Sequence, residues 1–142
     1  MSAAQTRGWY FDPHSGGVKI PERTKQQVER CLHACFAKLG HDKSARLEVR
    51  FRGALCYIDA YREPDAELVK YWASRGENVQ EAIASYREHP TRLGRLRHFD
   101  LNRWSYAFYT YSNERYEAST LNGEWTGTPE QGLEVGCVYL RD

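Results

Sequence analysis

Two carboxylates that could do chemistry, Glu48 and Asp59, lie in the arginine- and tyrosine-rich segment 46–61. A two-residue turn at its centre, where a glycine precedes an alanine, is typical of a type II′ hairpin and sets Glu48 directly opposite Asp59. Like charges opposed across strands destabilise a sheet unless a cation lies between them. We expect an arginine from a neighbouring strand, Arg95 or Arg97, to supply that cation. A divalent metal ion or a general acid–base pair is the functional alternative.

Arginine and tyrosine alternate along the predicted strands. Arginine outnumbers lysine fifteen to five, and the segments 46–62 and 91–117 contain no lysine, whereas segment 63–90 holds six acids and three bases. Arginine suits planar, bidentate and stacked contacts, and tyrosine rings can stack on bases. The candidate ligand-binding residues are Arg50, Arg52, Tyr57, Tyr61, Arg95 and Arg97. The alternative is that these arginines pair with carboxylates and tyrosines of the same sheet.

A loop at 12–17, with the sequence DPHSGG, holds a third candidate for catalysis, His14. A histidine and a serine beside two glycines could present a nucleophile, or hold an anion on backbone N–H groups. The loop matches neither the G-x-S-x-G nor the P-loop pattern, and the same residue types make ordinary turns. We therefore expect a turn, and keep His14, Glu48 and Asp59 as the candidate residues of an enzyme.

The cysteines give the tightest grouping of metal-ligand residue types, Cys31, His33 and Cys35. The segment is a predicted helix, on which both cysteines fall on the apolar side while His33 points away from it. Zinc sites usually draw on closely spaced ligand pairs in loops, with a matching pair elsewhere. We therefore predict buried thiols, with no metal ion and no cofactor.

A helix is predicted from Pro21 to Leu39, because a proline favours its start and Gly40 its end. Apolar residues recur along it at spacings of three and four. They are Val28, Cys31, Leu32, Cys35, Phe36 and Leu39. This stripe is the predicted contact of the helix with the core.

Further helices are predicted from periodicity and capping signals. Segment 63–90 forms one or two helices, over 65–73 and 77–88, with Ser74 and Glu77 at the spacing of a capping box before the second. The last begins after Thr128, which is followed by a proline and, three residues on, by a glutamine. These residue types favour a capped helix start.

Strands are predicted around the helices. In the first hairpin the turn lies at Gly53-Ala54, and Val49 pairs with Ile58 on the face that we expect to join the core. Strands at 91–99 and 104–112 follow, joined by a short polar loop.

A last strand, from residue 115 to about residue 120, returns through a turn at Asn113-Glu114. This turn would place Tyr111 opposite Tyr116. The face that Tyr109 and Tyr111 occupy stays open at this point.

Hairpin-linked strands with helices between and around them indicate an α+β fold. We expect an antiparallel sheet of four to five strands, with helices packed mainly on one face. The 142 residues form one predicted domain, 1–142, with a loose tail over 1–8 and a short apolar segment at 8–11 that docks on the body or forms an edge strand.

Three strings in the sequence are distinctive: RLEVRFRGALCYIDAY, RLRHFDLNRWSYAFYTYSNERYE and GTPEQGLEVGCVYL. With them the chain resembles a family of uncharacterised bacterial proteins, and over about residues 25–118 it is similar to a small bacterial domain of unknown function. Neither group has a known activity. The resemblance therefore implies a bacterial, cytosolic protein and assigns no functional residue.

Composition narrows the classes of function. A formal charge of +1 argues against binding dominated by phosphate contacts. No segment has the length of a membrane helix, and the polar N-terminus does not resemble a signal peptide, so we expect a cytoplasmic protein that does not enter the membrane.

The expected function is a small binding domain whose Arg/Tyr-rich sheet face takes a polar or anionic ligand. The ligand would be a nucleotide, a single-stranded nucleic acid or an acidic peptide. We also expect the acidic segment 63–90 to cover part of this face. The alternatives are a small enzyme and an accessory domain that docks a partner protein, and the oligomeric state stays open.

Overall fold

The computed structural model describes residues 15–140. The tail at 1–8, the segment at 8–11 and His14 lie outside these residues. The helices are α1 (Glu22–Lys38), α2 (Ala66–Ser74), α3 (Val79–Glu88) and α4 (Pro129–Gly136), and the strands are β1 (Ala45–Arg52), β2 (Leu55–Arg62), β3 (Thr91–Asp100), β4 (Arg103–Thr110) and β5 (Arg115–Ser119). Short 3₁₀ turns lie at His41–Lys43 and Cys137–Leu140. The strands form one antiparallel sheet in the order β1-β2-β3-β4-β5, which confirms the α+β prediction.

The β1–β2 hairpin has the predicted register at all eight pairs, from Arg52 opposite Leu55 to Ala45 opposite Arg62. Gly53 has a φ of 59°, whereas the φ of Ala54 is not positive. A positive φ at the first turn residue alone is the type II′ conformation, whose twist matches that of the paired strands. Turn chemistry and side-chain alternation therefore specify the same register.

Helices α1 and α4 pack on one face of the sheet, and the core lies between them and the strands. Leu32 and Phe36 of α1 are buried there, as is Ile58 of β2, and Val49 packs at the edge of the core. Leu39 is 42% exposed and does not belong to the apolar stripe. The helix ends at Lys38, so Leu39 is its C-cap and no longer follows the helical periodicity.

Two glycines let α4 approach β3 closely. A Cβ at Gly132 would meet the Leu96 side chain, and one at Gly136 would collide with the Leu93 carbonyl oxygen. The predicted capping box begins this helix, since the Thr128 hydroxyl accepts from the Gln131 N–H while the Gln131 side chain accepts from the Thr128 N–H.

Helices α2 and α3 lie where the chain passes from β2 to β3, and neither contains a buried residue. They contact each other through Trp72 and Tyr86, whose ring centroids are 5.8 Å apart. The predicted capping box of Ser74 and Glu77 is wrong. Ser74 belongs to the last turn of α2, where its hydroxyl donates to the Tyr71 carbonyl, and Asn78 caps α3 instead.

The β4–β5 connection also differs from the prediction. Tyr109, not Tyr111, lies opposite Tyr116, because the connection spans four residues, 111–114. A two-residue type I′ turn needs positive φ at both central residues, and only Glu114 of the predicted pair has it. The longer loop is tied back by Glu117, whose carboxylate accepts from Asn113 Nδ2 at 2.9 Å.

Candidate ligand-binding face

The sheet face opposite α1 and α4, here called the polar face, carries most of the predicted site residues. It is formed by Arg46, Glu48, Arg50 and Arg52 of β1, Leu55, Tyr57, Asp59 and Tyr61 of β2, Arg92, Arg95 and Arg97 of β3, and Tyr109 and Tyr116 of β4 and β5. Among the described residues, six arginines thus share this face with two carboxylates. In a chain of net charge +1 this is a strong local excess of positive charge.

Asp59 is the organising residue of the polar face, and it is only 1% exposed. Its Oδ2 lies 3.1 Å from Arg50 Nη2 and 3.5 Å from Arg92 Nη1. Its Oδ1 is buried without a hydrogen-bond partner within residues 15–140. One carboxylate oxygen therefore holds two guanidinium groups from the strands on either side.

These partners correct the prediction that Arg95 or Arg97 would neutralise the acidic pair. Arg97 instead donates to the Gly16 carbonyl at 2.9 Å, and the Arg95 guanidinium lies 5.1 Å from the ring centroid of Tyr116. Arginine does neutralise Asp59, as expected, but the two arginines are Arg50 of the same hairpin and Arg92 at the beginning of β3.

A β-bulge explains why the sequence did not reveal Arg92. Strict alternation from Arg95 and Arg97 places Leu93, not Arg92, on the polar face. In the structure Ile58 pairs with Gly94 but Asp59 pairs with Arg92, so Leu93 is the extra residue and turns into the core. The sequence signal was Gly94, since a glycine inside a strand often marks a bulge.

Gly94 also permits a close packing contact that favours the bulge. A Cβ at this position would collide with the Tyr106 ring. The Tyr106 hydroxyl donates to the Leu93 carbonyl at 2.6 Å. The buried tyrosine thus fixes the backbone that presents Arg92 to Asp59.

Glu48 shares a partner with Asp59. Its Oε1 lies 3.7 Å from Arg50 Nε, and it accepts a long hydrogen bond of 3.5 Å from the Tyr61 hydroxyl. Arg50 therefore bridges the two carboxylates that oppose each other in the register, and the repulsion between them is relieved within the hairpin.

The tyrosine rings of the polar face are engaged by neighbouring side chains. Arginine guanidinium groups lie over four rings, in the pairs Arg46–Tyr61, Arg50–Tyr57, Arg92–Tyr109 and Arg95–Tyr116, at 4.5–5.4 Å from the centroids. Tyr116 also makes edge contacts with Tyr57 and Tyr109. Burial, and next the Asp59 carboxylate, raise the pKa of Tyr116 to about 12. The rings consequently hold the arginines in place.

The first strand carries the most accessible charges. Arg46, Arg50 and Arg52 are exposed. Contrary to our expectation, segment 63–90 therefore does not cover this part of the polar face. Arg52 has no ion pair or hydrogen bond to another side chain in the described part of the chain. An open cleft of about 470 Å³ continues from Arg46 and Tyr61 to the end of the hairpin.

The arrangement does not favour acid–base catalysis by Glu48 and Asp59. Asp59 Oδ2 already contacts two guanidinium groups, and the Asp59 side chain is 2% exposed. A general acid or base must reach the proton that it transfers. The face can instead offer fixed guanidinium donors to an anion.

The cysteines do not form a metal site within the described ranges, which contain no group of three metal-ligand side chains. Cys56 and Cys137 are buried, whereas Cys31 and Cys35 are partly exposed. Burial raises the pKa of the Cys56 thiol. His33 lies 3.8 Å from Glu29 on the exposed side of α1.

No protein-family model matches the chain, and comparisons with curated proteins and with solved structures give no significant match. None of the helices within residues 15–140 combines the length and apolar character needed to cross a membrane.

Proposed function

We propose that the protein is a small binding domain whose polar face takes an extended anionic ligand. The observation that carries the proposal is the row of three exposed arginines that β1 presents on this face, Arg46, Arg50 and Arg52. Both carboxylates already contact Arg50, and Asp59 also contacts Arg92. Arg46 and Arg52 lie outside this cluster and are exposed at opposite ends of β1.

The spacing of the arginines suits a ligand that runs along a strand. Alternate residues of a strand are about 6.6 Å apart, so Arg50 and Arg52 present charges at that interval. Two guanidinium groups at this distance repel each other by about 0.6 kcal/mol in water. An anion placed between them removes this repulsion and gains charge-assisted hydrogen bonds.

Three ligand classes carry suitable groups: nucleotides, single-stranded nucleic acids and acidic peptides. Phosphates and carboxylates both accept paired hydrogen bonds from guanidinium groups. Because arginines already cover the tyrosine rings, contacts to charge should contribute more than base stacking. Binding should therefore weaken steeply as salt is added.

A direct test measures binding of a fluorescent oligothymidine and of a fluorescent glutamate-rich peptide at several salt concentrations. For the ligand that binds, Arg52→Gln should lower affinity by about three- to tenfold and flatten the salt dependence by about one ion. Arg30→Gln is the matched control, since Arg30 is exposed on α1, in the helical layer on the other side of the sheet. Equal losses in both variants, or no binding of either ligand at low salt, would contradict the proposal.

A further inference from the structure

Within residues 15–140, strand β1 is an edge strand of the sheet, and no described strand pairs with its outer side. In a hairpin with a two-residue turn, the residues that flank the turn form a hydrogen-bonded pair. The N–H and C=O groups of Arg52 and of every second residue before it therefore point toward β2. Those of Leu47, Val49 and Phe51 point outward. Backbone groups elsewhere in the described residues do not pair with them.

The side chains along this edge have two distinct characters. Arg46, Arg50 and Arg52 stand on the polar face and are exposed. On the opposite face Val49 and Phe51 are only partly buried, at the rim of the core. A strand placed beside β1 would thus meet positive charge on one face and incompletely covered apolar side chains on the other.

We infer that β1 accepts an extended acidic segment of a partner protein as a sixth, antiparallel strand. The inference rests on the proposed function and names its ligand as a polypeptide. Strand addition supplies backbone hydrogen bonds for affinity, and the side chains of alternate residues supply specificity. Acidic side chains would reach the arginines, while the apolar residues between them would cover Val49 and Phe51.

A second copy of the chain fits this edge less well. If two β1 strands pair about Val49, Arg46 of each lies opposite Arg52 of the other, although Glu48 of each then lies opposite Arg50. If they pair about Glu48, the two glutamates oppose each other and Arg46 lies opposite Arg50. Both arrangements oppose like charges across strands, which is how charged edge strands avoid self-association. The arginine row therefore favours an acidic partner.

A nucleic acid would make fewer contacts with this edge than a peptide strand would. The rings of Tyr57 and Tyr61 are covered by Arg50 and Arg46, which limits base stacking on β2. A nucleic acid also cannot reproduce the alternating backbone hydrogen bonds of a strand. A peptide strand can use the outward backbone groups and the arginine row together.

The probe is a seven-residue peptide that fits this edge. Glutamate at its first, third and seventh positions faces Arg52, Arg50 and Arg46, threonine at its fifth position faces Glu48, and valine fills the positions between. Antiparallel pairing turns the valine N–H groups toward β1 and the threonine N–H away from it. N-methylation of the central valine should weaken binding about tenfold, whereas N-methylation of the threonine should leave the affinity within about threefold. Equal affinities of the two methylated peptides would overturn the inference.

A protein variant gives a second test. Val49→Pro removes an outward N–H and keeps every bond of the β1–β2 ladder, so it should also weaken the peptide about tenfold. Circular dichroism shows whether the variant is folded, and where it is not, the methylated peptides decide the question. Retained peptide affinity in folded Val49→Pro contradicts strand addition. If Arg52→Gln still lowers the affinity for the peptide in that case, the polar face binds anions without strand addition.

Discussion

Arg50 Nη2 lies 3.1 Å from Asp59 Oδ2, although the strand register sets Arg50 opposite Tyr57 and Asp59 opposite Glu48. The ion pair is thus diagonal across the hairpin. It places a positive charge between two carboxylates that the register brings face to face, while the Arg50 side chain stays 50% exposed. The same guanidinium group therefore stabilises the hairpin and contributes to the charge of the polar face.

Asp59 should be essential for stability. Asp59→Ala should lower the free energy of unfolding by about 1–3 kcal/mol, because it removes the carboxylate that Arg50 and Arg92 share, while both arginines stay partly hydrated. Glu48→Ala is the control, since Glu48 is 38% exposed and its loss should cost less than about 1 kcal/mol. Urea unfolding measures both values. Similar values for the two variants would show that Asp59 does not organise this face.

Gly136 should tolerate no side chain. In a solvent-exposed helix, replacing glycine by alanine stabilises by about 1 kcal/mol. Gly136→Ala should instead destabilise by about 1–3 kcal/mol, because the added Cβ would collide with the Leu93 carbonyl and push α4 away from β3. Glu134→Ala, at an exposed position of α4, should change stability little. A stabilised Gly136→Ala variant would mean that α4 does not pack this closely.

The Cys56 thiol should be inert in the folded protein. Burial both blocks access and raises its pKa, so little thiolate is present at neutral pH. At pH 8, iodoacetamide should modify Cys56 only after denaturant is added, whereas Cys31, which is partly exposed, should react in the native state. Peptide mapping by mass spectrometry distinguishes the sites. Rapid labelling of native Cys56 would contradict its place in the core.

The pKa of Glu117 should depend on its hydrogen bonds with the loop between β4 and β5. Hydrogen bonds from Asn113 and Thr110, and next from Arg115, lower the pKa of its carboxyl group. The folded-state pKa of Glu117 thus lies below its unfolded-state pKa. Its contribution to stability is therefore fully present at a pH above the unfolded-state pKa, and is lost as the pH falls through the folded-state pKa. Asn113→Ala should therefore raise the Glu117 pKa toward its ordinary value. Carbon-detected NMR titration measures this, and an unchanged pKa would contradict the hydrogen bond from Asn113.

The first hairpin and α4 could be predicted from the sequence because local signals determine them. The Gly53 turn and the alternation of Val49 and Ile58 specify one register. Thr128 and the proline after it specify a helix start regardless of what surrounds them. Local chemistry of this kind needs no knowledge of the rest of the fold.

The composition of the site could be predicted only in part, because tertiary packing decides it. The type of residue that neutralises Asp59 follows from the sequence, but Arg92 reaches it only through the bulge at Leu93. That bulge depends on Tyr106, which lies on β4 and fills the space that a Cβ at Gly94 would take. A contact between distant segments has no signature in either segment alone.

If the polar face, and β1 in particular, binds an anionic chain, NMR of the arginine side chains will detect the contact at the residues that make it. Addition of the seven-residue glutamate peptide should shift the Nε–Hε signals of Arg46, Arg50 and Arg52. The signals of Arg23 and Arg30 on α1 should stay in place, and rising salt should reverse the shifts. Uniform shifts of all five arginines, or no shift in the β1 arginines at saturating peptide, would show that β1 does not bind the peptide.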